Sequence, residues 1–209
     1  MMEAIRRSPA TFAAETERVE NRDGWRVVLE YREEGGGPWL VDLSHRSKWD
    51  IQDREVATLK PFGLAIPDAP GQCLWQNGTL INRMNRTQAS IWSLSGQLGT
   101  PEDARLTETT DGPALLALMG PGVFGIMERI SNLDLAKPGL QAPFLAQGPV
   151  LHIPCQVVVF DNNPDSPVVL ISFSRGYGES FAAAVLHAGH DEGLRPAGED
   201  AFTKRFPAA

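Results

Sequence analysis

The order of patterns between residues 109 and 198 constrains the fold of this chain more than any other feature of its sequence. A strand-rich segment ends at the Gly120-Pro121 turn, and apolar side chains then recur on one helical face. These apolar residues, three, four and seven positions apart, are Val123, Ile126, Met127 and Ile130. Apolar runs at residues 150–160 and 168–174 flank a polar turn and predict two paired strands. Strands and helices in this mixture favour an α+β fold.

The first half of the sequence contains a similar series of patterns. WRVVLEY at residues 25–31 predicts a strand that runs into the glycine turn at 35–37, and a hairpin is the simplest interpretation. Residues 38–53 predict two strands around a bend. A brief helix is predicted at residues 54–59, and Pro61 would end it.

A repeated order of elements follows from these two halves. Residues 71–95 contain two strand-like runs, so strand, helix and two strands occur twice. This predicts two βαββ-type pseudo-repeats in a single domain. We place that domain at residues 25–202, between an N-terminal arm at 1–24 and a tail at 203–209. A short alanine-rich helix is expected at 181–189.

Composition excludes several classes of function. A chain of 209 residues with a net charge of −7 and a pI near 5.1 lacks the basic surface that nucleic acid or an anionic membrane would attract. No apolar run reaches the length of about 18 residues that spans a bilayer, and no apolar segment follows Arg6 and Arg7. We therefore expect a cytoplasmic protein, in which Cys73 and Cys155 are buried thiols.

The histidines give little support to a catalytic or metal site. Asp42, Ser44 and His45 lie within four positions of one another, which does not suit a Ser-His-Asp relay, so we assign His45 a hydrogen-bonded structural role. His187 and His190 lack a suitably spaced third and fourth ligand. No phosphate-binding loop is present. The five tryptophans predict core packing or a subunit interface; they are Trp25, Trp39, Trp49, Trp75 and Trp92.

Five short motifs occur in the order found in the glycine-cleavage T protein family. They are DLSH at residues 42–45, GTLINR at 78–83, ALLALMGPG at 114–122, SRGYGE at 174–179 and GLRPAG at 193–198. The resemblance spans residues 38–202. RRSP at residues 6–9 and RISNLDL at 129–135 are also similar to motifs of the sarcosine oxidase gamma subunits, which share this fold.

The resemblance implies a glycine-cleavage-T-like folate-binding fold, here without the family's C-terminal barrel domain. In the family, a carboxylate in the turn that matches GTLINR stabilises a cationic amine during one-carbon transfer to tetrahydrofolate. Asn82 and Arg83 stand at the two acidic positions of that turn. A neutral amide and a guanidinium cannot provide this stabilisation.

Other folate-site positions are partly retained. The family's folate-contacting glutamate aligns with Ala182, and an arginine beyond the PAG turn aligns with Phe202, while Tyr177 and Glu179 persist. The resemblance thus marks four vestigial folate-site positions, Tyr177, Glu179, Asn82 and Arg83, and no catalytic residue or metal ligand. We expect no cofactor in this chain. Binding of tetrahydrofolate is the alternative that stays open.

These observations predict an accessory, gamma-like subunit of a heteromeric sarcosine-oxidase-type amine oxidase. Its partners would be larger oxidase subunits, one with a folate-binding domain, and flavin would lie in a partner chain. Two alternatives stay open. One is a stand-alone folate-dependent aminomethyltransferase in which Tyr177, Glu179 or Asp42 takes over the missing roles. The other is a module that binds a small anion through Arg83 and Arg86.

Overall fold

The computed structural model describes residues 5–95, 98–99, 101, 103–137 and 139–207. Over these residues the chain has mixed α+β structure in which strands predominate. The strands are β1 (Thr16–Arg22), β2 (Trp25–Tyr31), β3 (Trp39–Asp42), β4 (Lys48–Gln52), β5 (Cys73–Gln76), β6 (Thr79–Asn85), β7 (Gln88–Ser93), β8 (Leu106–Glu108), β9 (Pro113–Met119), β10 (Phe144–Val150), β11 (Ile153–Asp161), β12 (Val168–Ser174) and β13 (Arg195–Ala197). The α-helices are α1 (Val123–Ile130), α2 (Gly178–Ala188) and α3 (Glu199–Arg205).

Two sheets form the body of the chain, and their strands are arranged in the same order. One sheet runs β10-β11-β12-β9-β3-β13 and the other β5-β6-β7-β4-β8. In each sheet, three consecutive strands form a meander. The strand beside the meander in the sheet is the one that comes just before it in the sequence. A strand from the other half of the chain comes next, since β3 pairs with β9 and β8 pairs with β4, both antiparallel. The two halves therefore exchange one strand each.

The chain changes sheet twice, and the two crossings lie side by side. Residues 43–47 join β3 to β4, and residues 109–112 join β8 to β9. Backbone hydrogen bonds connect the crossings: Leu43 N donates to Leu115 O at 2.9 Å, and Thr109 N donates to Lys48 O at 2.8 Å. Lys48 N donates to Thr110 Oγ1 at 3.1 Å. The change of sheet is thus fixed by bonds between the halves.

The sheets pack face to face around a buried apolar cluster to which both contribute. The five-stranded sheet supplies Leu80 and Trp92, and the six-stranded sheet supplies Leu115, Ala117 and Val158. A second cluster lies between the outer face of the six-stranded sheet and helices α1 and α2. The segment that contains Val56, Leu64 and Ile66 covers the outer face of the five-stranded sheet. Alternate side chains of the central strands therefore enter different cores, which accounts for their continuous apolar sequences.

The N-terminal hairpin of β1 and β2 packs against the C-terminal part of the chain. Trp25, Val27 and Leu29 form its own buried cluster, and β2 contacts both β13 and α3. Gly198, between β13 and α3, lies against the backbone of Leu29; a Cβ there would be 2.2 Å from the Leu29 carbonyl oxygen. Only a glycine allows this close approach.

Several sequence predictions agree with the structure. Helix α1 covers the predicted residues, β11 and β12 correspond to the two predicted apolar strands, and α2 includes the alanine-rich segment. Cys73 and Cys155 are free thiols, Cys155 buried as predicted and Cys73 partly buried, and desolvation raises their pKa values to about 12 for Cys73 and about 11 for Cys155. Trp25, Trp49 and Trp92 are buried within the chain. For these three tryptophans, core packing is confirmed over a subunit interface.

Other predictions are wrong in detail. Each meander has three strands, whereas the sequence predicts two. Strand β10 at a sheet edge was not predicted, because Gly148 and Pro149 interrupt its apolar pattern. The brief helix at 54–59 is replaced by 3₁₀ turns at Val56–Thr58 and Pro61–Gly63. The strand at 25–31 forms its hairpin with β1.

The expected domain boundaries fall inside elements of the structure. Position 24 lies in the β1–β2 turn, so residues 16–24 of the predicted arm at 1–24 belong to a hairpin. Strand β1 was not recognised because its side chains are exposed and polar, and salt bridges such as Arg32–Glu17 at 2.9 Å join them to neighbours. The boundary at 202 lies within α3. The division into domains otherwise stays a prediction.

No helix within the described part of the chain has both the length and the apolar character needed to cross a membrane.

We predict that Gly198→Ala lowers the free energy of unfolding by about 1–3 kcal/mol, the usual range for an overpacked buried site. The new methyl group would clash with the Leu29 backbone and push β2 away from α3. Chemical denaturation followed by circular dichroism measures the effect. Gly125→Ala is the matched control: no heavy atom lies within 4 Å of a Cβ there, so the helix α1 variant should be as stable as the parent or more stable by up to about 1 kcal/mol. Equal stabilities for the two variants would contradict the proposed contact.

Candidate functional site

The crossing from β3 to β4 places a group of polar side chains at one point of the surface. The Asp42 carboxylate accepts a hydrogen bond from Ser44 N at 2.9 Å and another from the Ser8 hydroxyl. Ser44 Oγ accepts from Leu115 N at 3.1 Å. A short polar side chain that bonds its own backbone two residues on is typical of a tight turn. The motif DLSH is therefore the start of this turn.

A buried lysine stabilises the inner side of the turn. Lys48 is 1% exposed, and its Nζ donates to Ser44 O at 2.6 Å and Arg46 O at 2.9 Å. Burial lowers the pKa of Lys48 to about 8, although Asp42 and Asp111 favour its charged form. The ammonium group thus satisfies two carbonyls that the turn leaves without backbone partners.

Glu199 is the centre of a buried ion cluster. It is the first residue of α3 and is 2% exposed. Its Oε1 lies 2.7 Å from His45 Nε2 and 2.5 Å from Arg46 Nη2, and its Oε2 lies 2.5 Å from Arg22 Nη1. Burial alone would raise the pKa of Glu199, but the hydrogen bond from His45 and the charges of His45, Arg46 and Arg22 hold it at about 2. The carboxylate links β1, the β3–β4 turn and α3.

Two clefts open beside this cluster. Cleft A, about 1010 Å³, lies between residues 5–16 and β2, and Asp42, His45 and Glu179 also line it. Cleft B, about 820 Å³, lies between the β1–β2 turn, the two crossings and α3. Its lining includes Trp25, His45, Arg46, Trp49, Thr110 and Glu199. His45 of the ion cluster lines both clefts.

The polar groups of the turn are engaged in structural contacts. His45 Nε2 is bonded to Glu199, and Asp42 is bonded to Ser8 and Ser44. His45 therefore has the hydrogen-bonded role that the sequence analysis assigns to it. Within the described ranges, no three His, Cys, Asp or Glu side chains are close enough to hold a metal ion, and His190 is exposed.

The structure separates the four predicted folate-site positions. Asn82 and Arg83 lie on β6, with their side chains on opposite faces of the five-stranded sheet. Asn82 is fully buried between the sheets, where its Nδ2 donates to Ser90 Oγ at 3.3 Å. Ser90 Oγ donates in turn to Gln156 Oε1 at 2.9 Å. This chain of bonds links the two sheets.

Arg83 faces the outer core of the same sheet. It is 5% exposed, and its Nη2 donates to Arg86 O at 2.8 Å. Arg86 contributes a backbone carbonyl to this contact, and its side chain is exposed. The two guanidinium groups therefore do not form a shared anion clamp in this structure.

Tyr177 and Glu179 lie near the N-terminal segment, at the start of α2. Tyr177 is 49% exposed, and Glu179 Oε1 accepts from Thr11 Oγ1 at 3.3 Å. Glu179 lines cleft A, whereas the described linings of clefts A and B contain none of the other three positions. Ala182 and Phe202 are both fully buried in apolar clusters.

Sequence reasoning missed the residues that dominate this region, namely Glu199, Arg22 and Lys48. Glu199 directly follows the GLRPAG motif, and its acidic side chain was the available signal. A charged residue just after a turn is usually solvated. Its burial depends on Arg22 and on the His45-Arg46 pair, which are distant in sequence.

Comparisons with known proteins relate this chain to sarcosine oxidases. No family model matches it. It is 32% identical over 111 residues to the sarcosine oxidase subunit alpha of Rhizobium meliloti (strain 1021). The match covers 48% of this chain, which spans about a tenth of the length of that relative.

The fold is similar to that of a chain in the heterotetrameric sarcosine oxidase from Corynebacterium sp. U-96 in complex with pyrrole 2-carboxylate. The TM-score is 0.59 at 11% identity, and the match covers 73% of this chain and 83% of that chain. At this identity the likeness concerns the fold alone.

We predict that Glu199→Gln lowers the free energy of unfolding by about 3 kcal/mol at neutral pH, near the lower end of the cost of breaking a buried ion pair. The effect should depend on pH. The folded pKa of about 2 lies below the ordinary value of about 4.3, so the carboxylate stabilises the fold above pH about 5 and loses this effect as the pH falls towards 2. The difference between parent and variant should shrink over that range in urea unfolding curves.

Asp200→Asn is the control for this measurement. Asp200 is the next residue of α3 and pairs with the half-exposed Arg18, so its loss should cost no more than about 1 kcal/mol. A constant difference between Glu199→Gln and the parent from pH 6 to pH 2.5 would contradict the buried carboxylate.

Proposed function

We propose that this chain is an accessory, gamma-like subunit of a heteromeric sarcosine-oxidase-type N-methyl amine oxidase, with a structural role. The observation that carries the proposal is the agreement of two comparisons. The sequence is similar to a sarcosine oxidase subunit alpha, and the fold is similar to a chain of a heterotetrameric sarcosine oxidase. The second match covers most of both chains. A separate subunit of this fold therefore has a structural precedent.

The finer fold proposal is a glycine-cleavage-T-like folate-binding fold with an internal pseudo-repeat. The matching order of five strands in the two sheets supports it; β13 is an additional strand at the edge of the six-stranded sheet. Residues 39–93 and 106–174 each run through an exchanged strand, a second strand, a helical segment and a three-strand meander. Each unit is longer by two strands than the βαββ pattern, and the helical segment of the first consists of 3₁₀ turns.

The residues present do not fit tetrahydrofolate. Asn82 offers a neutral amide that is bonded to Ser90 and fully buried between the sheets. Trp92 and Leu80 fill the neighbouring space in the core. The positions of the family's glutamate and arginine hold Ala182 and Phe202, which are packed in apolar clusters. These features support the proposal that the chain has the folate-binding fold but lacks the side chains needed for one-carbon transfer to tetrahydrofolate.

Partners and cofactors follow from this proposal. The oxidation of an N-methyl amine would take place at a flavin in another chain, and the carbon released would pass to tetrahydrofolate there. Larger oxidase subunits are the expected partners, one of them with a folate-binding domain of the same fold.

Co-purification tests the proposal. A tagged copy of the chain, expressed at native level in its source, should elute in size-exclusion chromatography with larger chains and with flavin absorbance. Mass spectrometry identifies the chains that elute with it. An untagged strain processed in parallel controls for adventitious binding. Elution as a monomer at native concentration would exclude the subunit role.

Tetrahydrofolate titration separates this role from that of a stand-alone transferase. In isothermal titration calorimetry we expect no saturable heat with the purified chain. The family's folate-binding glutamate and arginine are replaced by Ala182 and Phe202, and Asn82 is buried. A glycine-cleavage T protein measured in the same buffer is the positive control. Stoichiometric binding that Tyr177→Phe or Glu179→Gln abolishes would instead favour the aminomethyltransferase.

A further inference from the structure

Unpartnered hydrogen-bond donors are concentrated around cleft B. Among the described residues, five buried side-chain nitrogen or oxygen atoms have no hydrogen-bond partner. Three of them are Trp25 Nε1, Arg46 Nε and Trp49 Nε1, and all three residues line cleft B. The other two belong to Arg83, which lines neither cleft A nor cleft B.

These three donors come from separate segments of the chain. Trp25 is the first residue of β2, Arg46 lies in the β3–β4 crossing, and Trp49 lies in β4. Each side chain is at least nine-tenths buried, with exposures of 2%, 9% and 8%. Indole and guanidinium N–H groups normally find acceptors when they are buried. Because all three residues line one cleft, we look for their missing acceptor there.

The charge balance at Arg46 favours a negatively charged acceptor. Burial lowers the pKa of Arg46, and Arg22 lowers it further, while Glu199 opposes both effects. Glu199 is shared among His45, Arg46 and Arg22. A second anion at Arg46 Nε would offset the remaining desolvation of this guanidinium group.

The four carboxylates among the described lining residues of cleft B have partners or are exposed. Glu108 Oε1 accepts a hydrogen bond from Thr110 Oγ1 at 3.0 Å. Asp200 forms an ion pair with Arg18, and Asp23 is exposed in the β1–β2 turn. None of these carboxylates accepts a hydrogen bond from the three buried N–H groups.

We propose that cleft B binds a carboxylate whose two oxygens accept hydrogen bonds from Arg46 Nε, Trp25 Nε1 and Trp49 Nε1. A carboxylate has about four lone-pair positions in one plane, enough for three converging donors, and bonds from a guanidinium to it are charge-assisted. The cleft of about 820 Å³ accommodates either a small free acid or an acidic side chain inserted by a partner protein. This inference does not rest on the subunit role.

The indole N–H groups report binding directly. In ¹H–¹⁵N spectra of the full chain labelled on tryptophan, five indole signals are expected, and Trp25→Phe and Trp49→Phe assign two of them. Addition of sodium acetate at constant pH and ionic strength should shift these two signals in a saturable way. The signals of Trp39, Trp75 and Trp92 should stay in place. Sodium chloride is the control for a general anion effect.

An arginine substitution tests the role of the guanidinium group. Arg46→Lys keeps the charge and removes the Nε donor, so we expect acetate binding about tenfold weaker, which corresponds to about 1.4 kcal/mol. The matched control is Arg54→Lys, at an exposed turn position, which should bind like the parent. Unmoved signals of the other three tryptophans show that each variant is folded.

A second titration identifies the source of the carboxylate. If a blocked glutamate, N-acetyl-glutamate-N-methylamide, binds at least as tightly as acetate, the site accepts a partner's acidic side chain. If acetate binds and the blocked glutamate does not, the site takes a small free acid. The proposal is overturned if neither compound shifts the Trp25 and Trp49 signals, or if chloride shifts them equally.

Discussion

The exchange of one strand between the two halves is the constraint on which the rest of the structure depends. Because β3 lies in one sheet and β4 in the other, the chain must cross between the sheets within residues 43–47. The second crossing, at residues 109–112, is bonded to the first through Lys48. Short crossings leave backbone carbonyls without ladder partners, and the buried Lys48 ammonium group satisfies two of them. The topology thus favours a polar cluster at this point of a largely apolar core.

The ion cluster extends this constraint to both ends of the chain. His45 and Arg46 project from the first crossing towards Glu199, which also accepts from Arg22 of the N-terminal hairpin. One buried carboxylate therefore holds together segments that are more than 150 residues apart. The cost of burying it is offset by three positively charged or hydrogen-bonding partners, in agreement with its low pKa. Cleft B lies beside this junction because the hairpin packs against the crossings at its turn.

The sequence predicts those parts of the fold that depend on local periodicity. Helix α1 and the central strands β11 and β12 have strong patterns, since each is buried on one or both faces. Edge strands such as β1 and β5 lack such a pattern, because their side chains are largely exposed or half-buried. The site is harder to predict than the fold. Arg22, His45 and Glu199 meet only through the tertiary structure, and no property of their immediate neighbours in the sequence marks them as partners.

Three of the motifs that resemble those of the glycine-cleavage T family have structural roles in this chain. DLSH forms the turn at the first sheet crossing, GLRPAG places Gly198 against Leu29 and ends next to Glu199, and GTLINR carries the buried Asn82. In each motif, the residues described above make contacts that hold two parts of the fold together. Contacts that hold the fold together are sufficient to account for these three motifs. Their presence is therefore evidence for the architecture, and it carries no indication of catalytic chemistry by itself.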